Sequence, residues 1–545
     1  MRAAATVCEL FQLTASRHAE RDALRTRRDE VVITWQEYAQ HVRALAAGLA
    51  SLGLARGDTL ALMLVSRPEF HLVDTATLHL GAVPFSLYNS SSAEQIEYLL
   101  NDSGARIVVT ERAFLELIQR VRADCPAIEH VFVVDGTPSL MDLELRGDPG
   151  FDFDARWHEV QPNDLLTLIY TSGTTGPPKG VQITHANYLA ELRAFDGIAE
   201  FAPGRVVSYF PMAHVAERVV SHYNAIAYGH AVTCCPDPRQ VIAYPPEVRP
   251  TFFFAVPRIW EKLKAALEGQ LGDAAELREL SGLDRAEHVF VGAAPSAVEV
   301  LEFFHSLGIE VLEVWGLSEV TGLATANRPG RARLGTVGQA AAGVELRLAD
   351  DGEVLVRGGI VMAGYRNAPE KTAEAIDSDG WFRTGDVGTL DDDGYLRIVD
   401  RKKEIIVSVG GENMSPANIE ARIKSSSPLI GQACVIGDRR PYNVALIVLD
   451  ADAAAAFAQR RGLEDRSAAL ARERAVIDEV AAAVGRANVR LSGPEQIKKF
   501  LVLDVEWEPA GDELTPTLKL KRRPIEQKYA DAIGALYVQS NTSMS

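Results

Sequence analysis

The sequence predicts an α/β protein of several lobes, with layered, mainly parallel sheets covered by helices, followed by a smaller unit. Three observations carry this prediction. Apolar strand-like runs alternate with amphipathic helical patterns through the first four hundred residues. The texture changes after Gly335, where short strands and Gly or Asp turns dominate Val344–Val399, as in a small barrel or meander. The length of 545 residues exceeds one compact domain, and at roughly 150 residues per domain it predicts three or four lobes. With 47% hydrophobic and 24% charged residues there is ample material for large cores. A disordered, collagen-like or membrane-spanning chain is excluded on composition.

The elements follow in order. Thr34 and Glu37 form a capping-box pair that opens a helix with Trp35, Tyr38, Val42, Leu45 and Leu49 on one face. Gly57-Asp58 turns into a predicted strand at Thr59–Leu64. A helix near Ala93–Leu100 leads into a strand at Arg106–Thr110. Further strands are expected at Leu165–Tyr170, Arg205–Phe210, Thr251–Val256, His288–Val291 and Ile309–Val314, several apolar enough to be central. Asp391–Gly394 lacks the spacing of a calcium loop and reads as a hairpin turn. The charged run from Asp400 sets a boundary at 400–403, dividing a domain over 1–399 from one over 404–545 that holds Ala/Arg-rich helices across Ala453–Asn488.

Charge and cysteines narrow the function classes. Fifty-six Lys and Arg against 74 Asp and Glu leave a net charge of −18, which argues against nucleic-acid polymers as partners but not against one local anion site. The five cysteines (Cys8, Cys125, Cys234, Cys235, Cys434) form no zinc or CxxC pattern and fit a reducing compartment. The first residues are too short an apolar stretch for a signal peptide, with Glu9 inside it, and no apolar run is long enough to span a bilayer; a cytoplasmic protein is expected.

The most informative segment is YTSGTTGPPKGVQITH, Tyr170–His185. Between Thr171 and Gly180 it holds four Ser/Thr hydroxyls, three glycines and Lys179. Glycines let a backbone approach an anion, N–H groups and hydroxyls donate to it, and the lysine supplies charge; this is the chemistry of a phosphate cradle. It is not a Walker A loop, because the glycine spacing differs and Gly180 stands where Ser or Thr belongs. Pro177-Pro178 prevents an immediate helix, and the extended residues after Lys179 predict a hairpin.

This loop resembles the signature of the adenylate-forming (ANL) superfamily, which holds acyl-CoA synthetases, peptide-synthetase adenylation domains and luciferases. The similarity runs from about Glu9 to Arg523, with further motifs in family order: VGAAP at Val291–Pro295, EVWGLSEVTG at Glu313–Gly322, GWFRTGD at Gly380–Asp386, DRKKEIIVSVGGENMSPANIE at Asp400–Glu420 and LTPTLKLKRR at Leu514–Arg523. The resemblance implies the ANL fold, a smaller mobile α+β C-terminal domain turning on the 400–403 hinge, and two-step chemistry. A carboxylate attacks the α-phosphorus of ATP, and a thiol then displaces AMP.

By the same resemblance, Thr171, Ser172, Gly173, Thr174, Thr175 and Lys179 hold the β- and γ-phosphates. Glu319, with Thr171, holds Mg²⁺. Gly292, Ala293, Ala294 and Pro295 flank the adenine, Trp315 stacks on it, and Glu313, Gly316 and Ser318 belong to the same nucleotide wall. Asp386 accepts the ribose hydroxyls and Arg401 approaches from the hinge. Lys519 is the mobile catalytic lysine, although Leu518 replaces the usual glycine before it and Lys521 competes for the role. Gly410, Gly411 and Glu412 line the pantetheine channel of coenzyme A.

FPMAHVAERV at Phe210–Val219 resembles the acyl-pocket segment of the long-chain branch, with His214 near the reacting carboxylate and Arg218 where some members carry a gating aromatic. Ala213, Val215, Ala293 and Ala294 suit a hydrophobic acid: a long-chain fatty acid, or a polycyclic or terpenoid one. The expected function is an acyl-CoA ligase with a small-molecule acid, ATP and CoA as partners; a homodimer is the assembly considered. The alternatives are an acyl-AMP ligase that loads a carrier protein, a chain competent mainly in thioester formation, and a nucleotide sensor. No insertion follows Glu420, no carrier serine motif follows Arg523, and Glu319, Asp386 and Lys179 are intact, which disfavours a pure sensor.

Overall fold

The computed structural model describes residues 4–171, 177–408, 412–463, 467–508, 511–515 and 519–538. A seven-stranded sheet forms the centre, in the order Gly364–Tyr365, Lys179–Thr184, Leu165–Thr171, Val83–Ser86, Thr59–Met63, Ile107–Thr110, His130–Val133. Its last five strands run parallel, and the first two join by antiparallel pairing. Thr59–Met63, flanked by two parallel partners, is buried along its whole length, so its continuous apolar run is what a two-sided sheet requires. A five-stranded sheet begins with the parallel strands Phe252–Ala255, His288–Val291 and Val311–Trp315, and a four-stranded one carries Asp22–Thr26, Ala231–Cys234 and Arg205–Ser208. The predicted strands are all present, each ending within one or two residues of the expected limits; Leu64, Arg106, Tyr209, Phe210, Thr251, Val256, Ile309 and Glu310 fall outside them.

Helix Trp35–Ser51 starts at the predicted capping box, with Thr34 Oγ1 accepting from the Glu37 amide and Glu37 accepting from the Thr34 amide. Val344–Leu348, Glu353–Gly358, Phe382–Leu390 and Leu396–Arg401 form an antiparallel meander, and Asp391–Gly394 is its hairpin turn, where Arg333 binds Asp391 and Asp393. The last strand runs through Asp400 and Arg401, so the charged run begins as sheet before the chain leaves for the C-terminal part.

The C-terminal part is built on the sheet Ile430–Ile436, Asn443–Leu449 and Ile497–Val502, with apolar cores of its own around Ile419, Ile447 and Val480, and around Leu446, Trp507 and Ile525. Asp400 ties the two parts together by accepting from Ser415 Oγ at 2.6 Å and from the Ala417 amide at 3.2 Å. Across the interface Arg258 pairs with Asp450 at 2.7 Å, and Glu299 receives Arg422 and Arg490.

Helix Pro68–Leu78 runs through the core with His71, Asp74 and Thr75 buried. It faces a π-helical turn, Arg218–Tyr223. Arg218, buried completely, pairs with Asp74 and donates to Ser86 Oγ at 2.8 Å and Tyr223 OH at 3.0 Å. Asp74 also holds His222 Nε2 at 2.9 Å, and His222 Nδ1 meets His71 Nδ1 at 2.9 Å. The proton order follows: His222 donates through Nε2, so its Nδ1 accepts and His71 donates. Burial holds both rings below the ordinary histidine range. A buried pair loses most when one partner goes, because a desolvated charge is left alone. Arg218→Ala is therefore expected to lower stability by about 3–5 kcal/mol in urea unfolding.

Candidate functional site

The predicted phosphate-loop hairpin is present: Leu165–Thr171 and Lys179–Thr184 pair antiparallel, with Thr171 opposite Lys179 and Tyr170 opposite Gly180. A Cβ on Gly180 would stand 3.0 Å from the Tyr170 ring, so any larger residue there would press on that ring. Ser172, Gly173, Thr174 and Thr175 lie outside the described residues. Lys179 Nζ stands 4.0 Å over the centre of the Tyr365 ring, and Tyr365 OH donates to Glu319 Oε1 at 2.9 Å. Partial burial draws the lysine below its ordinary range, and Glu319 opposes that shift. Tyr365 thus joins the lysine and the carboxylate, one through its π-face and the other through its hydroxyl. It was not a sequence candidate. Its strand has only two residues, and nothing in Gly364-Tyr365 marks it before the sheet pairs it with Val181.

Asp386 is the second focus. It is buried, and sheet register sets it directly opposite Arg401. Arg401 Nε lies 2.7 Å from Oδ1, and Trp315 Nε1–H donates to Oδ2 at 2.8 Å. Burial raises the carboxyl above its ordinary range, opposed by Arg401, by the indole N–H and by Lys519. Trp315 ends the strand Val311–Trp315, so a second sheet delivers the indole.

Lys519 comes from the C-terminal part, where Leu514 and Leu520 make an antiparallel bridge and the Lys519 amide donates to Thr515 Oγ1. Its side chain is open to solvent yet surrounded by the cleft walls, within electrostatic reach of Arg401, Asp386, Glu404 and Glu319. Crowding by protein and the Arg401 charge lower its affinity for a proton. Lys521 instead donates to the Gly511 carbonyl at 3.1 Å within the C-terminal part. Of the two competing lysines, the structure therefore brings Lys519 into the cleft. Leu518 lies outside the described residues.

His214 caps the turn Val215–Glu217, its Nδ1 accepting from the Ala216 amide at 3.2 Å. Desolvation and the nearby Lys519 ammonium push it down to about 3. It is neutral at ordinary pH, and because Nδ1 is an acceptor, Nε2 carries the proton.

The remaining candidates divide. Gly316 is required sterically, since a Cβ there would fall 1.9 Å from the Gly322 carbonyl. Ser318 and Glu319 share a short 3₁₀ turn. Gly292 packs against Val314, Ala293 holds a left-handed backbone (φ 68°), and Ala294 and Pro295 are exposed. Glu313 serves the backbone instead, its carboxylate accepting from the Gly335 amide at 2.9 Å, and burial raises it to about 7. Glu412 is exposed, its amide donating to Ser408 Oγ; Gly410 and Gly411 lie outside the described residues. Among the described residues no group of three or more His, Cys, Asp or Glu could hold a metal.

The cleft thus gathers Lys179, Glu319, Trp315, Asp386, Arg401, His214 and Lys519. Residues 11–366 match the AMP-binding enzyme family and residues 403–541 match the AMP-binding enzyme C-terminal domain, so the chain belongs to the AMP-binding enzymes. A Mycobacterium tuberculosis protein that carries the name fatty-acid–CoA ligase fadD11 is 46% identical over 449 residues, 74% of this chain and 79% of the relative. Long-chain-fatty-acid–CoA ligase FadD15 of Mycobacterium bovis is 34% identical and covers 93% of this chain and 92% of its own. Among solved structures, the adenylation domain of a Mycobacterium chelonae carboxylate reductase superposes with a TM-score of 0.81 at 23% identity, over 98% of this chain and 92% of that one. A Mycobacterium tuberculosis fatty acyl CoA synthetase does so at 0.68 and 26%, over 97% and 99%.

His214 also has a consequence for acid stability. The unfolded chain takes up a proton near the ordinary value of 6.5, whereas the folded ring does so only near 3. The unfolded state therefore binds more protons between these values, and stability falls as pH is lowered from 6.5 toward 3. Denaturant unfolding as a function of pH is expected to lose up to about 1.4 kcal/mol per pH unit from this ring, and His214→Gln removes that contribution.

Proposed function

We propose that the protein is an AMP-forming acid–CoA ligase that activates a hydrophobic carboxylic acid as its acyl-adenylate and transfers it to CoA. The observation that carries this reading is the convergence of Lys519, from the C-terminal part, with His214, Asp386, Arg401 and Glu319 in one cleft.

Each residue has work suited to its chemistry. Asp386 spends one lone pair on each oxygen for Arg401 and Trp315, which leaves lone pairs on both for the two ribose hydroxyls. The Trp315 indole, pinned edge-on by that bond, keeps its face for the adenine. Lys179 meets the outer phosphates. Lys519 offsets the charge that gathers between the attacking carboxylate and the α-phosphate; a preorganised cation helps because it needs no reorganisation during reaction. His214, neutral with its proton on Nε2, offers a donor to the acyl oxygen. Glu319 and Thr171 are oxygen ligands of the kind Mg²⁺ takes; they would hold it beside the nucleotide phosphates, whose charge it would neutralise.

The domain interface supports a C-terminal part that moves between the two steps, since ion pairs such as Arg258–Asp450 cross it while the apolar cores on either side stay separate. The acid is a long-chain fatty acid or a bulky polycyclic one. A narrow apolar crevice lies among Leu166, Ile183, Val215, Val219 and Tyr223, and Val215 is the chain neighbour of His214; the crevice has no room for a water molecule as it stands, so an acyl chain would enter by parting these walls. The names of the relatives support the fatty-acid reading. The five cysteines are free and buried, which suits the cytoplasm.

Incubation with ATP, Mg²⁺ and an acid panel, with and without CoA, is expected to yield pyrophosphate and thioester. Absence of thioester from every acid, with thioester from a synthetic acyl-adenylate, would overturn the complete-ligase reading. Lys519→Ala is expected to slow pyrophosphate release by about 10²–10³-fold while leaving thioester formation from the synthetic adenylate near wild type. Asp386→Asn is expected to weaken nucleotide binding, read by calorimetry.

A further inference from the structure

One residue beside the acyl crevice plays no part in the chemistry above. Glu191, on helix His185–Asp196, is completely buried, and neither of its carboxyl oxygens has a hydrogen-bond partner among the described residues. The Leu323 amide leans toward it without reaching hydrogen-bonding geometry. Its setting is defined by Gly322: a Cβ there would lie 3.1 Å from Glu191 Oε1 and 3.8 Å from the Val215 and Val219 methyls. The carboxyl therefore sits between the loop that carries Glu319 and the two valines that line the crevice. Val215 directly follows His214, so on the ligase reading this spot lies beside the crevice proposed for the acyl chain.

A second unsatisfied group stands along the same wall. Asn224 accepts from Tyr188 OH at 3.0 Å, but its Nδ2 donor has no partner among the described residues. Tyr188 lies one helical turn before Glu191 and itself lines the crevice. Buried polar groups are normally paired, and a carboxyl left unpaired in an apolar wall costs stability with no return unless a ligand satisfies it. In the Arg218 network nearby, by contrast, the buried guanidinium and the Asp74 carboxylate are both paired.

We propose that Glu191 is a specificity-determining residue that hydrogen-bonds a hydroxyl group on the chain of the acid substrate, so that the enzyme prefers a hydroxylated acid to its unsubstituted parent. The proposal rests on the ligase reading above. A carboxyl desolvated this completely is held in its neutral form. It then offers one O–H donor and one carbonyl acceptor, and a hydroxyl is complementary to both. An ammonium substituent fits poorly, because it would require a buried ion pair with nothing else to solvate it.

The test is ATP–pyrophosphate exchange with hexadecanoic acid and with a set of its monohydroxy derivatives, the hydroxyl stepped along the half of the chain nearer the carboxylate. At least one derivative is expected to exceed hexadecanoic acid in kcat/KM by about tenfold or more, equivalent to about 1.4 kcal/mol. Glu191→Leu is expected to abolish that preference and raise activity on hexadecanoic acid, and Glu191→Gln to keep part of the preference, because an amide still donates and accepts. Folding is not at risk in Glu191→Leu, which replaces an unpaired polar group with an apolar one. If hexadecanoic acid is activated without any preference for a hydroxylated partner, or if the preference survives Glu191→Leu, the proposal falls and the ligase reading stands. If no acid of this set or of the wider panel above supports exchange, both fall.

Discussion

The buried carboxylate of Asp386 is the constraint around which the rest is arranged. It joins an indole from one sheet, a guanidinium from the strand that leads out of the large domain, and the field of a lysine from the C-terminal part. A carboxylate removed from water is costly unless donors surround it, and here they do. Because those donors come from separate elements, the carboxylate holds them in mutual register. Against a net charge of −18, Lys179, Arg401 and Lys519 gather a local positive field in this cleft.

Two ways of burying polarity stand side by side in the large domain. The Asp74–Arg218–His222–His71 chain is hydrogen-bonded from charge to neutral ring, and it anchors the π-helical turn to the core helix. The Arg218 position, where an aromatic gate is found in some relatives of the long-chain branch, is thus a fixed structural clasp. Glu191, on the helix facing that turn, has no such partners among the described residues. The contrast marks a rigid side and a receptive side of one crevice, both framed by Val215 and Val219.

The two parts of the chain keep separate apolar cores and meet through ion pairs and the Asp400–Ser415 bond. Apolar burial scales with area and resists separation, whereas exposed ion pairs exchange readily with water. An interface of this kind is consistent with the proposed movement of the C-terminal part that carries Lys519, since neither core spans it.

The alternation of strands and helices was legible from the sequence, because period and burial are local properties: the apolar run at Thr59–Met63 and the Thr34–Glu37 capping box each declare themselves within a few residues. The motifs that carry Lys179, Trp315, Glu319, Asp386, Arg401 and Lys519 were legible for the same reason, since each is a short stretch of unusual composition. What only the tertiary structure decided depends on residues far apart in the chain. It assigned Lys519 rather than Lys521 to the cleft, turned Glu313 toward Gly335, linked Lys179 to Glu319 through Tyr365, paired Arg218 with Asp74 across 144 positions, and left Glu191 without a partner among the described residues. A side chain's partner is a matter of which elements pack against it. That information resides in the packing of helices and sheets, and no local pattern of residues contains it.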